Sequence, residues 1–381
     1  MKSLFLKLTI AMYYAGQGVL LPFLPILFRN QNFSYGQIGT LLAAGAVVGI
    51  LTQSLWGYLC DRFQTVKKLL LFQLVTSVIL SLFIFRFHTF GTLLLYLTVF
   101  YVFYRPLPTL LDTLTVNAIK GNPARYGHYR MFGSLGFLLA ALFSGYFLNW
   151  LGLDKGPYLI TALIGLTLLC ALPVQEAQYV CQTPRFNDLS EFIKKPVVLQ
   201  FLLAAALLGT TQVANDNFIS VHLQALGGSL KDTGLLWTVG VTTEVLTFVV
   251  ISYLRLGGKP LYFLRHVALL YGLRWLMMAF LTDVNIILVV QVLHGICYAL
   301  FITMVQQFLA VIIPDQLRAT GQGLMYMTVF GLGGVVGMIG GGLLLERFGS
   351  ANFYLACFFF AIGSFLVFNE LENKNILSDH L

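Results

Sequence analysis

The sequence predicts an all-α membrane protein: twelve transmembrane helices in two pseudo-symmetric six-helix bundles. Three observations predict it. Of the 381 residues 58% are hydrophobic and only 10% charged, with a mean hydropathy of +0.83, more apolar surface than a water-soluble fold can hide. Apolar runs of about 20 residues, the length that crosses a bilayer, recur between short polar segments. Glycines repeat at matched spacing: Leu135-Gly136 is followed by Gly145 and Gly152, and Leu332-Gly333 by Gly342 and Gly349, an offset of 197 residues.

In the first half the runs place spans near 8–28, 37–59, 67–86, 92–116, 130–151 and 156–174. The first has Lys2 and Lys7 at its start, and the Arg29-Asn30 that follows offers no small-residue cleavage site, so it reads as a retained helix rather than a signal peptide. The second ends at Gly57-Tyr-Leu-Cys-Asp61-Arg62-Phe-Gln64-Thr65-Val-Lys67-Lys68, a short hinge that leads into the third. The fourth contains Tyr104-Arg105-Pro106-Leu-Pro108, whose prolines free backbone carbonyls and permit a kink. Seven residues separate Arg105 from Asp112, about two helical turns, which predicts one shared helix face.

The second half gives spans near 197–223, 233–254, 261–281, 284–311, 321–345 and 351–369. The longest polar segment divides the two sets. The expected organisation is therefore an N-terminal bundle over 1–174, a cytoplasmic linker over 175–196, and a C-terminal bundle over 197–381 that ends in a short cytoplasmic tail. Roughly 16 lysines and arginines, among them Lys2, Arg62, Lys67, Lys68, Arg130 and Lys374, fall on the side shared by the termini. Roughly five (Arg29, Arg86, Lys155, Lys231 and Arg347) fall opposite, which predicts both termini in the cytoplasm of a cell whose cytoplasmic membrane holds the protein.

The net charge of +8 does not indicate nucleic acid, because no basic run exceeds two residues and the bases sit at span ends. Five cysteines (Cys60, Cys170, Cys181, Cys297 and Cys357) lack paired spacing, so no disulfide or metal site is expected. No H-E-x-x-H, G-x-S-x-G or P-loop pattern occurs. An enzyme, an ATP-driven pump and any cofactor are accordingly disfavoured.

Ionisable groups in hydrocarbon are costly and mark function by default. Here they are Arg105, Asp112, Arg130, Asp216, Glu244, Arg274 and His294. The bland alternative for each is a structural ion pair between helices. The expectation is one charge network in a central cavity, with Gln212, Asn215, Asp216 and Asn217 on the seventh span lining it and Tyr13, Tyr14 and Gln17 of the first span facing them. Arg105 either binds a substrate carboxylate or neutralises Asp216.

The hinge pattern G-x-x-x-D-R followed by bases resembles the signature loop of the major facilitator superfamily. So does Pro314-Asp315-Gln-Leu-Arg318-Ala-Thr-Gly321-Gln-Gly323. The resemblance implies a conformational latch made by Gly57, Asp61 and Arg62, with Gly57 allowing close helix contact; the usual glycine and base after the arginine are replaced by Gln64 and Thr65. It also implies two parallel repeats with a substrate site at the midplane.

Tyr126-Gly127-His128-Tyr129-Arg130-Met131-Phe132-Gly133-Ser134-Leu135-Gly136, eighteen residues from Asp112 to Arg130, resembles the lactose permease family. That resemblance makes Asp112 and Arg130 a substrate-binding pair, with Phe137 in the stacking position that tryptophan takes in that family. Trp237 through Glu244, Leu273-Arg274-Trp275 and Gln291-Val-Leu-His294-Gly295 resemble the phenylpropionate permease group. They imply that Glu244, His294 and Arg274 handle proton coupling.

The family's proton-carrying carboxylate falls at Cys297, and a thiol is a poor proton carrier at neutral pH. Glu244 is therefore the first expected carrier and His294 the second. The expected activity is alternating-access transport of a small organic solute (sugar, nucleoside or aromatic acid) by proton symport, with a monomer in the bilayer as the working unit. Alternatives are a uniporter for the same solutes, a lipid flippase or a transporter-like receptor.

Overall fold

The computed structural model describes residues 2–119, 126–176, 195–254, 259–313 and 318–374. All regular structure there is helical: α1 (Lys2–Asn30), α2 (Tyr35–Phe63), α3 (Lys67–Ser81), α4 (Phe90–Tyr104), α5 (Leu107–Ala118), α6 (Tyr126–Leu151), α7 (Gly156–Ala171), α8 (Pro196–Ala225), α9 (Leu230–Leu254), α10 (Pro260–Phe280), α11 (Val284–Ile312), α12 (Arg318–Tyr326) and α13 (Gly333–Asn373). Most of the linker, Cys181 and the Pro314-Asp315 pair lie outside the described residues.

Among the described residues, ten helical stretches are long and apolar enough to cross a membrane. The 21-residue α10, which carries Arg265 and Arg274, is not among the ten. The last of the ten runs over 51 residues, Gly323–Asn373, about 75 Å at helical rise and more than twice a bilayer core. Gly349 interrupts it with φ 76° and ψ 177°, a left-handed backbone that glycine adopts without a Cβ clash.

The chain divides into two compact units, one of Met1–Gln182 with Leu223–Thr238 and one of Thr183–His222 with Val239–Leu381. In the first, α1 packs against α6 and α7. A Cβ on Gly136 would lie 2.1 Å from the Ala11 carbonyl oxygen, and one on Gly18 2.4 Å from that of Phe137. The two backbones therefore touch, and no side chain fits between them.

In the second unit α10 packs on α11 and α13, while a Cβ on Gly337 would lie 2.5 Å from the Thr210 carbonyl oxygen of α8. The glycine repeat has a matching geometry in each unit. Gly136 faces Ala11, and Gly333, 197 residues on, faces Thr210 and Ala206; Gly152 (φ 98°) and Gly349 (φ 76°) both stand where one helix gives way to the next.

The fourth apolar run is not one helix. α4 stops at Tyr104 and α5 begins at Leu107, with Arg105 and Pro106 forming a turn between them. A proline has no N–H to give and its ring clashes with the preceding turn. Arg105 and Pro106 both keep right-handed helical dihedrals at this break.

Candidate functional site

In the first unit the charged residues gather around α1, α5 and α6. Tyr126 and Arg130, four apart on α6 and so on one face, reach towards the other two helices. The Tyr126 hydroxyl donates to Asp112 Oδ1 at 3.0 Å, while Arg130 Nη1 donates to the Tyr14 hydroxyl and its guanidinium lies 4.5 Å from the centre of the Tyr14 ring. Ile10, Pro108, Leu111, Thr115 and Tyr129 complete a small pocket around these four side chains.

Asp112 and Arg130, expected as a substrate-binding pair, line this one pocket. Asp112 accepts from the Tyr126 phenol, whereas Arg130 donates to that of Tyr14. Tyr14 works within this cluster, and Tyr13 accepts from Gln17 Nε2 at 2.8 Å beside the Tyr104 ring.

Arg105 stacks its guanidinium 5.1 Å from the centre of the Tyr101 ring, and a Cβ on Gly45 would lie 2.8 Å from its nitrogens. Phe137 is half-buried, with its ring 5.8 Å from that of Trp237.

The second unit holds a more enclosed cluster. On α8, Gln212 Nε2 donates to both Asp216 carboxylate oxygens at 2.9 and 3.0 Å, and Asn215 Nδ2 donates at 3.3 Å. His294 of α11 places Nδ1 3.8 Å from Asp216 Oδ1 and 3.4 Å from Gln212 Nε2. Gly240 of α9 makes room for that imidazole, since a Cβ there would sit 3.0 Å from the ring.

Arg274 of α10 has no exposed surface. Its Nη2 donates to Gln291 Oε1 at 3.2 Å, whereas Nε and Nη1 have no hydrogen-bond partner. The guanidinium lies 4.3 Å from the centre of the Trp275 ring, whose Nε1 donates to Thr211. Tyr354 stacks beyond that ring and donates to Asn215.

Cys297 is fully buried on the same helix as His294. Glu244 is half-buried, and its amide nitrogen would be 2.2 Å from a Cβ on Gly295, so α9 and α11 meet backbone to backbone at this point.

The signature loop departs from its expected form. No atom lies within 4 Å of a Cβ built on Gly57, so no close helix contact depends on this glycine here. Gln64 takes the left-handed conformation (φ 48°, ψ 40°) that closes α2, a position where glycine carries no Cβ penalty. Asp61 keeps a buried Oδ1 without a hydrogen-bond partner, and Arg62 is exposed.

Glu176, which the sequence reading did not single out, occupies the start of α3. Its carboxylate accepts from the Val66 and Lys67 amides at 2.8 and 2.9 Å and from the Thr65 hydroxyl, satisfying helix N-terminal donors and complementing their partial positive charge. An acid just past the sixth span was its only sequence signal.

Charged side chains set among helices long and apolar enough to cross a membrane make this a multi-pass membrane protein. The chain belongs to the MFS_1 like family, which matches residues 4–356. It is a secondary transporter of a small organic solute.

The uncharacterized transporter YwbF of Bacillus subtilis is 27% identical, covering 81% of this chain and 77% of its own. A probable 3-phenylpropionic acid transporter of Escherichia coli is also 27% identical, over 74% of this chain and 75% of its own. The crystal structure of the nucleoside transporter NupG superposes with a TM-score of 0.82 at 16% identity, over 98% of each chain, which is a likeness of fold. The family match places the chain among MFS-like transporters, and similarity at these levels does not single out the phenylpropionate or lactose permease group.

Proposed function

We propose that this protein is a proton-coupled symporter of the cytoplasmic membrane, with twelve spans and both termini in the cytoplasm. Twelve follows when α10 is counted as a span and the final 51-residue stretch is divided at Gly349. The solute is a sugar, nucleoside or aromatic acid, and it meets the pocket of Asp112, Arg130, Tyr14 and Tyr126, with Arg105, Phe137 and Gln212 as further contacts, while Asp216, expected from the sequence to line the same cavity, serves in coupling beside His294. Arg274, His294 and Glu244 belong to the coupling machinery, and the loop of Gly57, Asp61 and Arg62 to the conformational latch.

The observation that carries this reading is the Asp216–His294–Arg274 cluster, which sets one fixed cation beside groups able to exchange a proton. Loading that proton changes the cluster's net charge and so biases one access state over the other. A phenol, a carboxylate and a guanidinium around one small pocket suit a solute with both hydroxyl and apolar surface.

Facilitated diffusion is a second reading, favoured by the buried Cys297 at the position where the related permeases place an acid. Purified protein in proteoliposomes, offered maltose, uridine and 3-phenylpropionate under an imposed inward proton gradient, separates the two. Uphill accumulation of one of the three supports symport, whereas uptake that only equilibrates supports the uniporter.

A further inference from the structure

We infer that Asp216, rather than Glu244, is the carboxylate that takes up and releases the coupling proton, with Arg274 as its fixed counter-charge. The inference rests on the symport reading and assigns a residue within it.

Charge comes first. Arg274 keeps its proton under any physiological condition, has no exposed surface, and satisfies only one guanidinium nitrogen through Gln291. A permanent cation sealed from water requires an anion nearby. Asp216 is a carboxylate within its electrostatic reach.

Geometry comes second. Gln212 and Asn215 hold both Asp216 oxygens through amide donors, so the carboxyl stays in place whether or not it carries a proton. Gln212 also lies beside His294, which makes that amide the link between carboxyl and imidazole.

Access comes third. The Asp216 side chain retains 19% of its surface, the His294 side chain 4%, and Arg274 none. Of the three, Asp216 has the most exposed side chain.

The step is a single proton transfer. A proton from water bonds to one Asp216 oxygen, the carboxylate becomes a neutral acid, and the guanidinium loses its counter-charge; release reverses both changes. Groups that face this carboxyl include Arg274 and Tyr271 from α10, His294 from α11 and Tyr354 from α13, and α9, which carries Glu244, packs against His294 through Gly240. The permanent cation among them is Arg274, and His294 is the adjacent base.

Infrared difference spectra of the full-length protein in lipid, recorded as the medium is titrated through neutrality, test the assignment without any solute. A protonated-carboxyl stretch is expected to grow on acidification, to shift in Asp216→Glu, to disappear in Asp216→Asn and to persist in Glu244→Gln. A band that survives in Asp216→Asn, one that disappears in Glu244→Gln, or no band in the wild type would overturn it. If Asp216→Asn does not fold, the band shift in Asp216→Glu carries the test, and an unshifted band there overturns the assignment.

Solute-driven proton flux into proteoliposomes, measured with maltose, uridine and 3-phenylpropionate, keeps the two readings apart. Uptake without proton flux in the wild type removes symport. Proton flux that survives in Asp216→Asn leaves symport standing and removes Asp216.

Discussion

The two charged clusters use similar residue types to opposite ends. In the first unit Arg130 is exposed and Asp112 half-buried, each bonded to a neutral phenol. In the second, Arg274 is wholly enclosed by Trp275, Gln291 and neighbouring aromatics, and Asp216 is held by two amides. An ion with loose neutral partners is suited to exchanging them for a solute. An ion sealed in low dielectric is suited to sensing one proton, because each change of charge there costs more than in water.

The comparison is broken most forcefully at Arg274. Arg274→Ala leaves Asp216 and Gln291 without their cation, and we expect a loss of about 3 kcal/mol in folding stability, the usual scale for breaking a buried charge pair. Thermal unfolding of the purified protein checks it, with Arg130→Ala expected to unfold near the wild type. Equal losses in the two variants would erase the distinction between the clusters.

A second contrast lies in the glycines. Gly295→Ala forces a methyl group against the Glu244 amide and the Gly240 carbonyl, and overpacking of this kind costs about 2 kcal/mol. Gly57→Ala meets nothing within 4 Å and should leave stability at the wild-type level. The same thermal measurement decides both.

Smaller effects are expected at the phenols. Tyr126→Phe and Tyr14→Phe each remove one hydrogen bond to a charge, about 1.5 kcal/mol or roughly tenfold in solute affinity, with little change in unfolding temperature. If affinity is unchanged while stability falls, the first cluster is structural. Smallest of all, Glu176→Gln weakens the clasp on α3 by about 0.5 kcal/mol, visible as faster amide exchange at Val66 and Lys67.

Much of this was legible in the sequence because a bilayer imposes a simple rule on it. Apolar runs gave α1, α2 and α8 to within a few residues at most ends, except where α1 begins six residues early and α2 ends four residues late, and charges such as Asp112 and Arg274 stand out against Leu and Phe. The turn at Arg105-Pro106 was foreshadowed by Pro106 and Pro108. Tyr14 was expected to face the cavity but not to accept from Arg130, and the role of Tyr126 stayed hidden among 18 tyrosines. Which oxygen faces which nitrogen depends on rotamers and on helix approach set by Gly136 and Gly295, and that information is not periodic. Glu176 acts across more than 100 residues of sequence, beyond the reach of any local pattern.

The division of labour between the clusters is tested most directly by comparing Asp112→Asn with Asp216→Asn in proteoliposomes for whichever of maltose, uridine or 3-phenylpropionate the wild type accumulates under an inward proton gradient. Asp112→Asn should lose both accumulation and solute exchange across the membrane, whereas Asp216→Asn should lose accumulation and keep exchange. If both variants lose both activities, or if Asp216→Asn still accumulates solute uphill, the division is contradicted.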